Sequence, residues 1–219
     1  DVTLRAVEVL GAVPLIAAED TRLSRRLLER RGIATRTVSY HARSGPGRLA
    51  ELLDHLRGGA DLALVTDAGT PLVSDPGGEL VAAWAAEGGA IVPIPGASSV
   101  LAAIVASAVA GPRWSFEGFL PRSGRERRVR IARIAADERA TVVFEAPGRV
   151  TATLVDLAAA CGPDRPGAVC RELTKTHEEV RRDALGGLAD WARESPARGE
   201  ITLVIAGARW WMRLYGLAM

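Results

Sequence analysis

The chain is 219 residues long, 48% hydrophobic and 25% charged, with a formal net charge of +2. These values suit one large or two small globular domains, and no run approaches the roughly 18 unbroken apolar residues of a membrane helix. Cys161 and Cys170 give no disulfide framework, and His41, His55 and His177 are too scattered for a metal site, so with no leader-like opening the expectation is cytoplasmic.

Helical and strand signals alternate along the first half. Residues 3–13 read as a helix, 15–18 as a strand, and 21–31 as a helix ended by Gly32. Residues 37–40 read as a strand, and 46–57 as a helix that opens on Pro46 and closes on Gly58-Gly59. A strand over 61–66 then runs into Thr66-Asp67-Ala68-Gly69-Thr70-Pro71-Leu72-Val73-Ser74-Asp75-Pro76-Gly77-Gly78, ahead of a helix over 79–87. That connection is long for an α/β protein; prolines 71 and 76 fix φ, while glycines 69, 77 and 78 permit positive φ or close backbone approach. A rigid, small-residue loop at the carboxyl end of a strand is where open α/β sheets hold their ligands. Residues 90–94 read as a further strand, and Pro95-Gly96-Ala97-Ser98-Ser99 leads into an alanine-rich helix through Val109.

Gly111-Pro112 breaks the chain and predicts a boundary between domains 1–111 and 112–219. Beyond it the pattern gives a strand over 116–120, an arginine-rich helix over 125–136, a strand over 140–145 and a helix over 149–160. A strand over 167–171, a polar turn, a helix near 185–193 and a strand over 201–206 complete the series. The alternation predicts an α/β fold with a mostly parallel sheet and helices on both faces.

Charge is unevenly spread. Arg22, Arg25, Arg26, Arg30 and Arg31 form one cluster, and Arg122, Arg125, Arg127, Arg128, Arg130 and Arg133 another. Each is either a solvated helix face or a phosphate-neutralising patch. Among 28 basic residues Lys175 is the single lysine, a compact ammonium in a chain that otherwise uses guanidinium. Asp20 sits at a strand-to-helix junction as either an N-cap or a ligand group. The amides of Gly96 to Ser98, Glu145 ahead of Ala146-Pro147, and the charged run from Arg171 through Glu172 and Lys175 to Glu179 also stand at strand ends. Several strand ends meeting in one crevice would build a composite site, the alternative for the charged run being a surface salt-bridge cluster. No P-loop or dinucleotide fingerprint occurs.

Taken together, these segments resemble the tetrapyrrole (corrin/porphyrin) methylase superfamily and, within it, the ribosomal small-subunit RNA cytidine 2′-O-methyltransferase family. The resemblance rests on Ala18-Glu19-Asp20-Thr21-Arg22, Ser39-Tyr40-His41, the 66–78 loop and Pro93-Ile94-Pro95-Gly96-Ala97-Ser98-Ser99. It continues through Gly118-Phe119-Leu120-Pro121-Arg122, Phe144-Glu145-Ala146-Pro147, Arg171-Glu172-Leu173-Thr174-Lys175, His177-Glu178-Glu179 and Gly199-Glu200-Ile201. The Arg-Glu-Leu-Thr-Lys and Phe-Leu-Pro-Arg segments favour the RNA branch. The resemblance implies two α/β domains with S-adenosylmethionine in the cleft between them, a homodimer, and ribosomal RNA or the small ribosomal subunit as partner.

By position, Asp67, Ala68, Gly69, Thr70, Pro71 and Ser74 would then hold the cofactor, with Gly96, Ala97, Ser98, Ala146 and Pro147 nearby. Arg22, Arg122, Arg125, Arg127, Arg128 and Arg171 would meet RNA. Methyl transfer to a hydroxyl is an in-line displacement, and aligning its partners can be worth roughly 7–11 kcal/mol. Lys175 or Glu145 is expected to assist as the ribose hydroxyl loses its proton, with Asp20 or Glu172 orienting the ribose. The sequence also departs from the family. It opens at Asp1 just after the family's first strand and loop, and its Trp210-Trp211-Met212 tail does not match the family's continuation. Gly148 replaces a common histidine, and Ala42-Arg43-Ser44 replaces a polar stretch. A lost first strand would leave a sheet edge unpaired and a binding loop absent. The rival readings are a tetrapyrrole or small-molecule methylase and a truncated, inactive RNA-binding remnant.

Overall fold

The computed structural model describes residues 1–209, so the Trp210-Trp211-Met212 tail lies outside the described residues. The chain divides into two compact units, Asp1–Ser98 and Ser99 onward.

The first unit is built on a parallel three-stranded sheet, β1 (Leu15–Ala18), β2 (Thr37–Ser39) and β3 (Leu62–Val65), in the order β2-β1-β3. Central β1 reads Leu-Ile-Ala-Ala and is buried throughout, as a parallel strand covered on both faces must be. Ile16 and Ala18 pack against Leu10 of α1 (Leu4–Ala12) and Leu28 of α2 (Thr21–Arg30). Leu15 and Ala17 face the other way, toward Leu52 and Leu53 of α3 (Pro46–Arg57) and Leu80 of α4 (Gly78–Ala86). Local chemistry sets the helix starts. The Thr3 hydroxyl accepts from the Ala6 amide, the Asp20 carboxylate accepts from the Arg22 amide, and Pro46 occupies the first turn of α3.

One expected strand is absent. Residues 90–94 are irregular, with Val92 76% exposed, because among the described residues no strand pairs with them; β-branched composition without a ladder partner does not make a strand.

The second unit begins with α5 (Ser99–Ser107) and carries a five-stranded sheet. Its strands are β4 (Trp114–Phe119), β5 (Ala140–Glu145), β6 (Pro166–Arg171), β7 (Glu179–Ala184) and β8 (Ile201–Ile205), in the order β4-β5-β8-β6-β7. Only β4 and β5 are parallel neighbours; β8 runs antiparallel between β5 and β6, and β7 pairs antiparallel with β6. The mostly parallel expectation therefore holds for the first sheet and fails for the second. The polar turn expected after β6 is in part β7, an edge strand whose Arg181, Arg182 and Asp183 are exposed, a charge pattern that hides its identity while blunting the edge.

Val143, Val169, Leu203 and Ile205 project from one face of this sheet into a core with Leu154 and Leu157 of α7 (Val150–Cys161) and Leu188 of α8 (Leu185–Glu194). The amphipathic α6 (Gly124–Ala136) adds Ile131 and Ile134. α5 packs against β8 and β6.

Candidate functional site

In the first unit β1 and β3 run side by side with Ala18 opposite Val65, so both release the chain at the same end of the sheet. Three carboxylates meet there. Glu19 Oε2 accepts from the Thr66 hydroxyl at 2.6 Å and from the Asp67 amide at 3.2 Å. Asp67 Oδ1 in turn accepts from the Asp20 amide at 3.0 Å. Asp20 caps α2 and takes the Arg22 guanidinium at 2.8 Å, which is the N-cap reading of the two left open for it.

The two acids titrate in opposite directions. Hydrogen bonds from Arg22 hold Asp20 down at about 2. Burial pushes Asp67 above its ordinary value, and the charges of Glu19 and Asp20 add to that against the Asp20 amide.

The loop over 66–78 is shaped by its backbone. Gly69 and Gly77 take positive φ as expected, but so do Leu72 at 72° and Ser74 at 71°, a conformation that side chains disfavour. Strain of this kind persists only where the surroundings over-determine it, and it gathers at ligand sites. Thr70 donates to the Ala97 carbonyl at 3.0 Å, joining this loop to the 95–98 segment. A methyl group built on Gly96 would meet nothing within 4 Å, so the backbone of that second loop is open to a ligand.

In the second unit β4, β5 and β6 end together, with Phe119 opposite Phe144 and Ile201 lying between Glu145 and Arg171. Glu145 is 2% exposed and fully engaged. Its Oε2 accepts from the Thr153 hydroxyl at 2.5 Å, and its Oε1 accepts from the Ala146 amide at 2.9 Å and faces Arg149 Nε at 3.2 Å. This network fixes the turn through Ala146 and Pro147.

Arg127, expected at an RNA surface, is instead 7% exposed. It donates to Thr153 Oγ1, Asp156 and the Pro121 carbonyl, because its position on α6 faces α7 rather than solvent. Arg122, Arg125 and Arg128 are exposed, with no ion-pair partner among the described residues. Arg171 is held by Glu179 Oε2 at 3.0 Å and by the Arg198 carbonyl.

Lys175 lies 3.2 Å from Glu172 and 3.0 Å from Glu200. Burial presses its ammonium down, but these two carboxylates outweigh that and hold the group above the usual lysine value. Glu172 is held low, first by the Glu200 amide and then by Lys175. The packing explains Gly199, whose φ is 79° and where a methyl group would sit 2.4 Å from the Glu172 carboxyl carbon.

The expected residues thus gather into a carboxylate-and-backbone cluster in the first unit and a set of charge networks in the second. Sequence reasoning missed Thr153, Arg149 and Glu200. Thr153 and Arg149 follow the β5 strand end that it marked, and Glu200 lies in the Gly199-Glu200-Ile201 segment that it quoted.

A family model described as Tetrapyrrole (Corrin/Porphyrin) Methylases matches residues 1–189. The chain is 47% identical over 208 residues to "Ribosomal RNA small subunit methyltransferase I" of Synechocystis, covering 95% of this chain and 75% of that protein. It is 44% identical to the protein of the same name from Micromonospora olivasterospora, covering 95% of this chain and 66% of the relative. Uroporphyrin-III C-methyl transferase from Thermus thermophilus, solved with S-adenyl homocysteine, shares the fold with a TM-score of 0.65 at 19% identity, covering 94% of this chain and 90% of that one.

Proposed function

The chain belongs to the tetrapyrrole (corrin/porphyrin) methylase family, and from that membership we propose that it is an S-adenosylmethionine-dependent methyltransferase that 2′-O-methylates a cytidine of 16S ribosomal RNA. The observation that carries this reading is the 47% identity, over 95% of the chain, to a protein named for methylating small-subunit ribosomal RNA. Likeness to the tetrapyrrole enzyme, at 19% identity, speaks to fold alone and does not favour a tetrapyrrole substrate.

The first-unit cluster suits such a cofactor chemically. S-adenosylmethionine, when bound, supplies a methyl group activated on a cationic sulfonium. Glu19 and Asp67 offer negative charge where β1 and β3 end, Asp20 being taken up by Arg22, and the bent 67–71 loop and Gly96 offer open backbone. In this reading Asp67 to Pro71, Ser74 and Gly96 to Ser98 hold the methionine and ribose parts. Lys175 stays an ammonium at neutral pH and stabilises negative charge developing on the ribose oxygen, rather than accepting its proton. Glu172 positions that ammonium. Glu145, saturated by its own partners, holds the turn and leaves the chemistry to others. Among the described residues no helix is long and apolar enough to cross a membrane, and the family resemblance supports a cytoplasmic homodimer.

Calorimetric titration with S-adenosylmethionine and S-adenosylhomocysteine, followed by tritiated-methyl transfer to 16S ribosomal RNA, tests the reading. Saturable binding and an alkali-resistant 2′-O-methyl linkage are expected. Lys175→Ala should lower transfer about a hundredfold while leaving cofactor affinity in place. No cofactor binding by the folded chain would refute the enzyme, and unchanged transfer by Lys175→Ala would remove the role given to that residue.

A further inference from the structure

The end of β4 carries a device to which the catalytic reading gives no role. Strands β4 and β5 are in register from Trp114 to Phe116, then slip, so that Phe119 rather than Gly118 stands opposite Phe144. Gly118 takes a φ of 61°, a bulge conformation suited to glycine. Strict alternation would send Phe119 to the face opposite Phe116. The extra residue returns it to the same face, where both rings lie against Phe144 with centroids 4.8 and 5.6 Å away. Phe119 ends this aromatic row and remains 50% exposed.

Three arginines hold that exposed ring in place by its backbone. Arg130 donates to the carbonyls of Glu117 and Phe119 and pairs with the Glu117 carboxylate at 2.8 Å. Arg149 donates to the Leu120 carbonyl at 2.8 Å and to that of Pro121 at 3.2 Å. Arg127 takes the Pro121 carbonyl at 3.0 Å. Four backbone carbonyls between Glu117 and Pro121 are thus held by three charged side chains, while the ring stays half in water. Cationic charge continues beside it. Arg122 follows directly, and an open groove of about 670 Å³ is lined by Glu117, Arg125, Glu126, Val129, Arg130 and Arg133.

We propose that Phe119 is a stacking platform for an unpaired RNA base, with Arg122, Arg125 and Arg128 taking the flanking phosphates. The inference rests on the RNA-methyltransferase reading and deepens it. The fixed ring offers a π-face, which any base can stack upon, and the exposed arginines that follow it in the chain complement the backbone charge of a single strand. Arg130 is a positioning residue, since it holds the bulged backbone that carries the ring. The substrate at this point is a loop or single-stranded segment, whose bases are free to splay onto a side chain, rather than a duplex.

The test uses the full chain and a short mixed-sequence single-stranded RNA, read by fluorescence anisotropy, with a matching duplex as control. Phe119→Ala and Phe119→Leu should each weaken single-strand binding about tenfold, the size of one lost base–aromatic stack, while Phe119→Trp retains it. RNA carrying 5-iodouridine should crosslink at residue 119 in the wild type. Arg130→Ala should weaken both binding and crosslinking, with rescue of neither by added cofactor. Binding by Phe119→Ala and Phe119→Leu equal to wild type would overturn the platform and leave the RNA reading standing. A changed sedimentation coefficient for Phe119→Ala with RNA affinity intact would also overturn it, assigning the ring to a contact between copies. Failure of the wild type to bind any RNA while binding cofactor would overturn both.

Discussion

The two units solve the same problem, placing functional groups at strand ends, by different physical means. In the first, β3 passes into a loop whose shape is written in backbone torsions, with Leu72 and Ser74 at positive φ. In the second, the strand ends are locked by charged side chains: Glu145 by Thr153 and Arg149, Lys175 by Glu172 and Glu200, and Phe119 by way of Arg130. A backbone-shaped loop keeps its amides and carbonyls open to a ligand. A network of saturated charges gives rigidity instead, and few of its members remain free for chemistry. Carboxylates at strand ends are therefore not equivalent. Among the described residues the Asp67 carboxylate accepts one hydrogen bond, from the Asp20 amide, whereas Glu145 is buried and held by Thr153, Ala146 and Arg149.

That contrast breaks most sharply at Glu145. Removing one member of a buried, hydrogen-bonded ion pair leaves its partners unsatisfied and typically costs about 3–5 kcal/mol. Glu145→Ala should therefore lower the melting temperature strongly, with activity lost in step with the folded fraction. Full stability with lost turnover would make Glu145 catalytic and erase the distinction. The next largest effect is expected at Gly77, whose φ of 121° closes the loop, and where a methyl group would sit 2.5 Å from Leu64 Cδ2. Gly77→Ala should cost about 1–3 kcal/mol through the backbone and weaken cofactor binding in proportion. Unchanged affinity in calorimetry would show that loop shape does not govern the site.

Much of this was legible in the sequence. Periodicity and caps marked α2, α3 and α6 closely because proline, Asp20 and glycine punctuate them through local chemistry. The positive φ at Leu72 and Ser74 was not legible, since neither residue type asks for it and only the surrounding fold imposes it. Strand β7 was hidden because an edge strand needs no hydrophobic alternation, and the 90–94 segment misled because apolar residues do not supply a pairing partner. Arg127 and Arg128, adjacent in sequence, part company because one faces α7 and the other water. A cluster of like residues on a helix cannot be assigned to one role without knowing which face is buried.

The smallest expected effect discriminates within the first unit itself. Asp20, held at about 2 by Arg22, contributes stability that is present above the ordinary value of 3.8 and is lost as pH falls through the range between them. Asp67 has the opposite sign. Its raised value means that the folded chain takes up this proton before the unfolded chain does, so acidification through that value relieves an unfavourable charge rather than removing a favourable one. If the Asp67 charge serves a cationic ligand, cofactor affinity should fall on acidification while the melting temperature holds, and only below about 3.8 should the fold weaken through Asp20. Calorimetry at descending pH, run beside thermal melts, separates the two. Asp67→Asn should bind more weakly at neutral pH and show a flatter pH profile, whereas Asp20→Asn should keep both its helix cap and its affinity. An Asp67→Asn chain with wild-type affinity and an unaltered profile would mean that the loop holds its ligand by backbone alone, making the contrast between the units sharper still.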